Sequence, residues 1–190
     1  MSKLYELVVQ LHPQISQDEQ SAIYGKIDSL LGKGKKQVDD MGLMQLAHPI
    51  GKARLTQVHM TSYYCELDAQ AIAAIKQELS ITKNVVRFVL FAMASHDPFI
   101  IYTDINKQFE KKPLVEGEKK PEALVRKWFF NKEVHNDYIS WKAVKLLSYF
   151  MTRFGDIKPR RFMSNSVAQQ KKVRQAILRA RELGVLAYTN

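Results

Sequence analysis

Apolar positions in the first half of the chain switch between short continuous runs and stripes at three- and four-residue spacing. Tyr5-Glu-Leu-Val-Val-Gln-Leu11 is rich in β-formers and predicts a buried strand. Ser16-Gln-Asp-Glu19 has the form of a capping box, in which Ser16 caps a helix and Glu19 reaches back. Ile23, Ile27, Leu30 and Leu31 supply the apolar stripe of that helix, and Gly32 is its natural stop. A basic turn, Lys33 to Lys36, leads into Gln37 to Ile50, which contains the strand-like run Gly42-Leu-Met-Gln-Leu-Ala-His-Pro-Ile50; Val58 to Leu67 predicts the next strand. Asp68 then caps a helix with Ile72, Ile75 and Leu79 on one face, and Asn84-Val-Val-Arg-Phe-Val-Leu-Phe-Ala-Met93 closes the unit as a central strand. The order βαββαβ predicts an α+β, ferredoxin-like sandwich over residues 1–94, with an antiparallel sheet under two helices.

From Ser95 to Lys127 these signals fade. Ile100, Ile101 and Tyr102 form an apolar docking element, but Lys107 to Glu122 is mostly Lys, Glu, Pro and Gly, so residues 95–127 are expected to be an extended linker. Residues 128–190 read as a small all-α module. Ser140 is a candidate N-cap, with Ile139 and Val144 placed as a hydrophobic staple, for a helix from Trp141 to about Arg153 that stops at Gly155. A second helix, about Ser166 to Leu183, puts Val173, Ala176, Ile177, Ala180 and Leu183 on one face. Trp128, Phe129, Phe130, Tyr149 and Phe150 are too much apolar surface for so small a module alone, so it is expected to pack against the sandwich of its own chain.

Charge separates the two parts further. The 190 residues carry a formal net charge of +10, yet residues 1–94 hold ten Lys and Arg against nine acids, a net of +1, while residues 95–190 hold nineteen against ten, a net of +9. From Gly155 to Arg181 there are eight cations (Lys158, Arg160, Arg161, Lys171, Lys172, Arg174, Arg179 and Arg181) against one Asp, with no His, Cys or Glu. Permanent charge of one sign cannot trade protons or bind a metal; it suits a polyanion, and nucleic acid ahead of an acidic membrane surface. Most of these cations fall on the circumference of the second helix opposite its apolar stripe, or in the loop that precedes it.

Other chemistries find no footing. The single cysteine, Cys65, excludes an internal disulfide and any CxxC zinc pair, and His12, His48, His59, His96 and His135 are scattered without metal-ligand spacing. Gly32-Lys-Gly-Lys-Lys36 follows a helix and precedes a strand, the reverse of a phosphate-binding loop, and reads as a helix cap with a solvated basic turn. Leu11-His-Pro-Gln-Ile-Ser16 lacks the phosphate-cradling loop and Arg of acylphosphatase chemistry, so neither catalytic residues nor a cofactor are expected. Tyr63, Tyr64 and Phe88 stand without the pattern of an RNA-recognition motif and read as sheet packing. The connection from Gly155 to Asn165 is too long for the turn of a DNA-reading helix-turn-helix. No apolar run reaches the roughly eighteen residues of a membrane span. The start, MSKLYELVVQL, lacks both a signal peptide's apolar region and a transit peptide's Arg/Ser-rich helix, so the chain is expected to be made where it works or to have lost a presequence.

Both parts resemble known families. Tyr5-Glu6-Leu7, Gly42-Leu-Met-Gln-Leu-Ala-His-Pro-Ile50 and Asn84-Val-Val-Arg-Phe88 make residues 4–93 similar to the sixth protein of the bacterial small ribosomal subunit, with His48 in place of that family's usual Tyr and Arg54-Leu-Thr-Gln-Val58 in place of a Gly and aromatic pair. Asp137-Tyr138, Gly155-Asp-Ile-Lys-Pro-Arg-Arg161, Gln169-Gln-Lys-Lys172, Ala176-Ile-Leu-Arg-Ala-Arg181 and Leu183-Gly-Val-Leu-Ala-Tyr188 make residues 128–190 resemble the eighteenth protein of the same subunit. There Asp156 replaces a usual Lys, Phe162-Met-Ser a Thr-Gly turn, and Ala187 a Pro. The double resemblance implies a structural, non-enzymatic ribosomal protein: a covalently linked equivalent of a heterodimer that binds small-subunit ribosomal RNA, in the central domain at the platform, beside neighbouring small-subunit proteins. Its place would be the small subunit of a bacterial cytoplasm or a mitochondrial matrix. The contrasting expectation from the residues is a non-ribosomal adaptor with a protein-binding sandwich and a generic RNA-binding tail.

Overall fold

The computed structural model describes residues 2–51, 53–94, 99–109 and 136–189. The chain divides into two units, Met1–Phe99 and Ile100–Asn190. In the first, β1 (Lys3–Leu11) leads to α1 (Gln17–Leu31), β2 (Lys35–Ile50), β3 (Leu55–Leu67), α2 (Ala69–Ile81) and β4 (Val85–Ala92), the expected βαββαβ order. Local chemistry sets the helix ends. Ser16 Oγ accepts from Glu19 N at 3.3 Å, but Glu19 does not reach back as a capping box would; its Oε2 accepts from Asn84 Nδ2 at 3.3 Å, tying the start of α1 to the turn before β4. Gly32 ends α1 at φ 48°, and Asp68 Oδ1 accepts from Ala71 N at 2.8 Å to open α2.

The sheet runs β2-β3-β1-β4, with every pairing antiparallel. The last strand therefore lies at an edge and not in the centre, where its apolar run Val85–Ala92 had been expected; β1 and β3 hold the centre. A continuous apolar run reports burial, not rank in the sheet. Phe88 and Leu90 turn toward the helices and pack against a core of Leu7, Val9, Leu11, Ile23, Ile27, Tyr63, Ile75 and Leu79. Every residue of β1 from Glu6 to Leu11 is buried, so the strand is covered on both faces. On the face away from that core, Phe99 stacks on Tyr64, the cross-strand neighbour of Glu6, with ring centroids 5.3 Å apart.

The second unit contains α3 (Tyr102–Phe109), α4 (Val144–Tyr149), α5 (Arg160–Met163) and α6 (Val167–Glu182), with a 3-10 turn at Asn136–Tyr138. Helix α3 occupies part of the segment expected to be a linker: Ile101 and Ile105 fall one turn apart, and Ile105 is buried. The polar stretch 110–127 and the aromatics Trp128, Phe129 and Phe130 lie outside the described residues. The predicted helix from Trp141 to Arg153 is much shorter. Ser140 does not cap it; Ala143 N donates to Ser140 O at 3.1 Å in a preceding turn, and α4 spans six residues with no side-chain cap. Its end is overruled by a polar turn in which Thr152 Oγ1 accepts from Phe154 N at 3.3 Å and from Asp156 N at 3.1 Å, while Met151 and Ile157 form an antiparallel bridge. Gly155 completes that turn at φ 94°, where a Cβ would stand 2.4 Å from Tyr188 O.

Candidate nucleic-acid interface

Helix α6 is built as the sequence predicts. Ser166 Oγ accepts from Gln169 N at 3.1 Å, and Gln169 Oε1 accepts from Ser166 N at 3.0 Å, a reciprocal box that fixes the helix start. Val173, Ala176, Ile177, Ala180 and the capping Leu183 are buried. With that stripe turned inward, the 3.6-residue period leaves Lys171, Lys172 and Arg174 exposed, and Arg179 half-buried.

Arg160 and Arg161 are exposed on α5, a single turn entered through Pro159 and ended by Ser164 in the left-handed region at φ 51°. Two clamps attach this turn to its surroundings: Asn165 N donates to Arg160 O at 3.1 Å, and Gln170 Nε2 from α6 donates to Lys158 O at 2.9 Å.

The remaining two predicted cations are engaged within the module. Lys158 Nζ donates to Tyr149 O at 2.7 Å and lies 5.3 Å from the Tyr149 ring centroid. Arg181 donates through Nη2 to Gly155 O and, at 3.3 Å, to Tyr188 O, and through Nε to Ala187 O at 3.2 Å. Its guanidinium thus joins the end of α6, the Gly155 turn and the C-terminal segment. Charge counting could not separate these two from the other six; the one hint is a turn rich in main-chain carbonyls that needs donors. Sequence reasoning also missed the exposure of three aromatics in this unit: Phe154, 64% exposed, Phe162, 72% exposed, and Tyr188, 57% exposed.

The first unit treats its charges differently. Lys35 pairs with Asp28 at 2.7 Å and Lys36 with Glu66 at 3.0 Å, so the basic turn after α1 is met by acids. A hydrogen bond from Ser2, joined by Lys36, holds the Glu66 carboxyl below its ordinary range. Tyr63 is buried and Phe88 packs against the core, as expected for sheet packing. Among the described residues, no group of three or more His, Cys, Asp or Glu could hold a metal ion, and no helix is long and apolar enough to cross a membrane.

Comparison with known proteins places both units. The family model for Ribosomal protein S6 matches residues 4–92, and that for Ribosomal protein S18 matches residues 135–186. A Small ribosomal subunit protein bS18 of Lactobacillus delbrueckii subsp. bulgaricus is 44% identical over 54 residues, which cover 28% of this chain and 69% of that protein. Its counterpart in Thermotoga maritima is 43% identical over 56 residues, covering 30% and 75%. The bS18c protein of Guillardia theta is 42% identical over 55 residues, covering 29% and 75%. A crystal structure of 30S ribosomal protein S6 from Thermotoga maritima aligns with a TM-score of 0.44 at 15% identity, over 57% of this chain and 94% of that one. The chain is a fusion: it belongs to the ribosomal protein S18 family through its second unit, and its first unit is a domain of the ribosomal protein S6 family.

Proposed function

We propose that this small-subunit ribosomal protein acts by docking. Exposed Arg160, Arg161, Lys171, Lys172 and Arg174, with Arg179 beside them, neutralise phosphates of small-subunit ribosomal RNA and release its counterions. Lys158 and Arg181 contribute mainly by holding the module that presents those six. The observation that carries the reading is the division of α6 into a buried apolar stripe and an exposed cationic arc, inside the segment that matches the eighteenth small-subunit protein. The two units act as a covalently linked equivalent of a pair of separate proteins, with neighbouring small-subunit proteins as further partners.

Two measurements test this. The intact chain should stay with small subunits during sedimentation in high salt; release at modest salt would favour a generic RNA-binding adaptor. Changing Arg160→Ala together with Arg161→Ala should weaken binding to small-subunit RNA and make the slope of log affinity against log salt shallower by about two units. An unchanged slope would reduce these cations to a solvated face.

A further inference from the structure

We infer that Phe162 is a stacking platform for an unpaired base, so that the module binds a nucleotide ring as well as phosphates. This rests on the RNA-docking reading above. Tyr63, Trp141 and Phe150 are 1%, 2% and 1% exposed, whereas Phe162 is left 72% exposed. A single exposed apolar side chain is ordinary on a protein surface. This one differs in how it is held and in what surrounds it.

The turn that carries Phe162 is fixed. Phe162 N donates to Pro159 O at 3.0 Å, Asn165 N closes on Arg160 O, and Gln170 of α6 holds the preceding Lys158 carbonyl. Asn165 is itself buried and donates through Nδ2 to Gln170 Oε1 at 3.1 Å. The ring is therefore presented from a rigid support, and ordering it on binding costs little conformational entropy. Its neighbours are cationic: Arg160 is exposed, and the Arg161 guanidinium lies 5.4 Å from the Phe162 ring centroid. An apolar protein pocket would have to desolvate those charges. A nucleotide uses both features, since its base covers the ring while its phosphates meet the arginines. A base inside a duplex cannot reach the ring, so the ligand is a nucleotide in a loop, bulge or single strand.

The test uses the full chain and two RNA probes, a twelve-nucleotide oligoadenylate and a fully paired duplex of the same length, titrated at several salt concentrations. Phe162→Leu keeps an apolar side chain at an exposed position but removes the π-face. It should weaken oligoadenylate binding by about tenfold, in line with one lost base–aromatic stack, and leave duplex affinity and both salt slopes unchanged. Phe162→Trp should restore single-strand binding. Equal oligoadenylate affinity for Phe162→Leu and the parent, with the salt slope intact, would overturn the stacking inference and leave phosphate docking standing. So would loss of both probes alike. If the leucine variant bound both RNAs normally but failed to enter small subunits, the ring would be shown to dock on a protein. Absence of salt-dependent binding to either probe would overturn both readings.

Discussion

Arg181→Ala should damage the fold of the second unit more than it damages RNA binding. The guanidinium donates to the carbonyls of Gly155, Ala187 and Tyr188. Ala187 is half-buried and Tyr188 exposed, so water can take over at those acceptors after truncation. Gly155 is buried, and its carbonyl would lose its charged donor with no ready substitute. One orphaned buried acceptor costs about 1–3 kcal/mol, and because Arg181 is only half-buried we take about 2 kcal/mol. With a urea dependence of about 2 kcal/mol per molar for a unit of this size, the unfolding midpoint should fall by about 1 M. Trp141, 2% exposed in the second unit, supplies the signal, read in a Trp128→Phe background so that one indole reports. Arg181→Lys keeps the charge but cannot span three acceptors, and should recover less than half of the loss. Exposed Arg174→Ala is the control and should stay within about 0.5 kcal/mol of the parent. If Arg181→Ala kept the parent's midpoint while its salt slope for RNA fell by about one unit, Arg181 would belong to the RNA and not to the fold.

The glycines give opposite signs. Gly155→Ala combines φ 94° with a Cβ against Tyr188 O and should cost at least about 2 kcal/mol, whereas Gly25→Ala, in mid-helix with nothing within 4 Å of the new methyl, should gain up to about 1 kcal/mol; urea unfolding reads both. Cys65 is buried, and burial pushes its thiol from 9.0 up to about 11. A disulfide reagent at pH 8 should therefore leave the native protein nearly unlabelled and react at once when urea is added. The native state holds this proton more tightly than the unfolded chain, so stability should decline as pH rises from 9.0 toward 11, by an amount that Cys65→Ala removes.

What the sequence disclosed was local. Ser16 and Asp68 were legible as caps because a cap bonds within its own first turn, and the stripe from Val173 to Leu183 was legible because helix period and burial coincide. Strand rank was not, since Val85–Ala92 reads the same at an edge as in the middle of a sheet. The helix expected over Trp141–Arg153 fell short because Thr152, with two main-chain donors from its own turn, outcompeted a propensity that looked continuous. In the basic segment, charge alone could not tell the cations held within the module from those left on its surface. Arg174 and Arg181 lie seven residues apart on one helix, and only the chain's return past Gly155 and Tyr188 gives the second of them carbonyls to hold.

The division of the chain at Phe99 and Ile100 also sets an order of events during synthesis. All four strands of the sheet precede that point, so the first unit has everything it needs before any of the second has been made. At about 5–20 residues per second the remaining part of the chain takes on the order of 5–20 s to appear, long compared with the milliseconds to seconds in which a small mixed α/β domain folds. Each nascent second unit thus emerges already attached to a finished companion. The two parts are produced in strict one-to-one ratio, with no pool of unpartnered basic chains to be cleared.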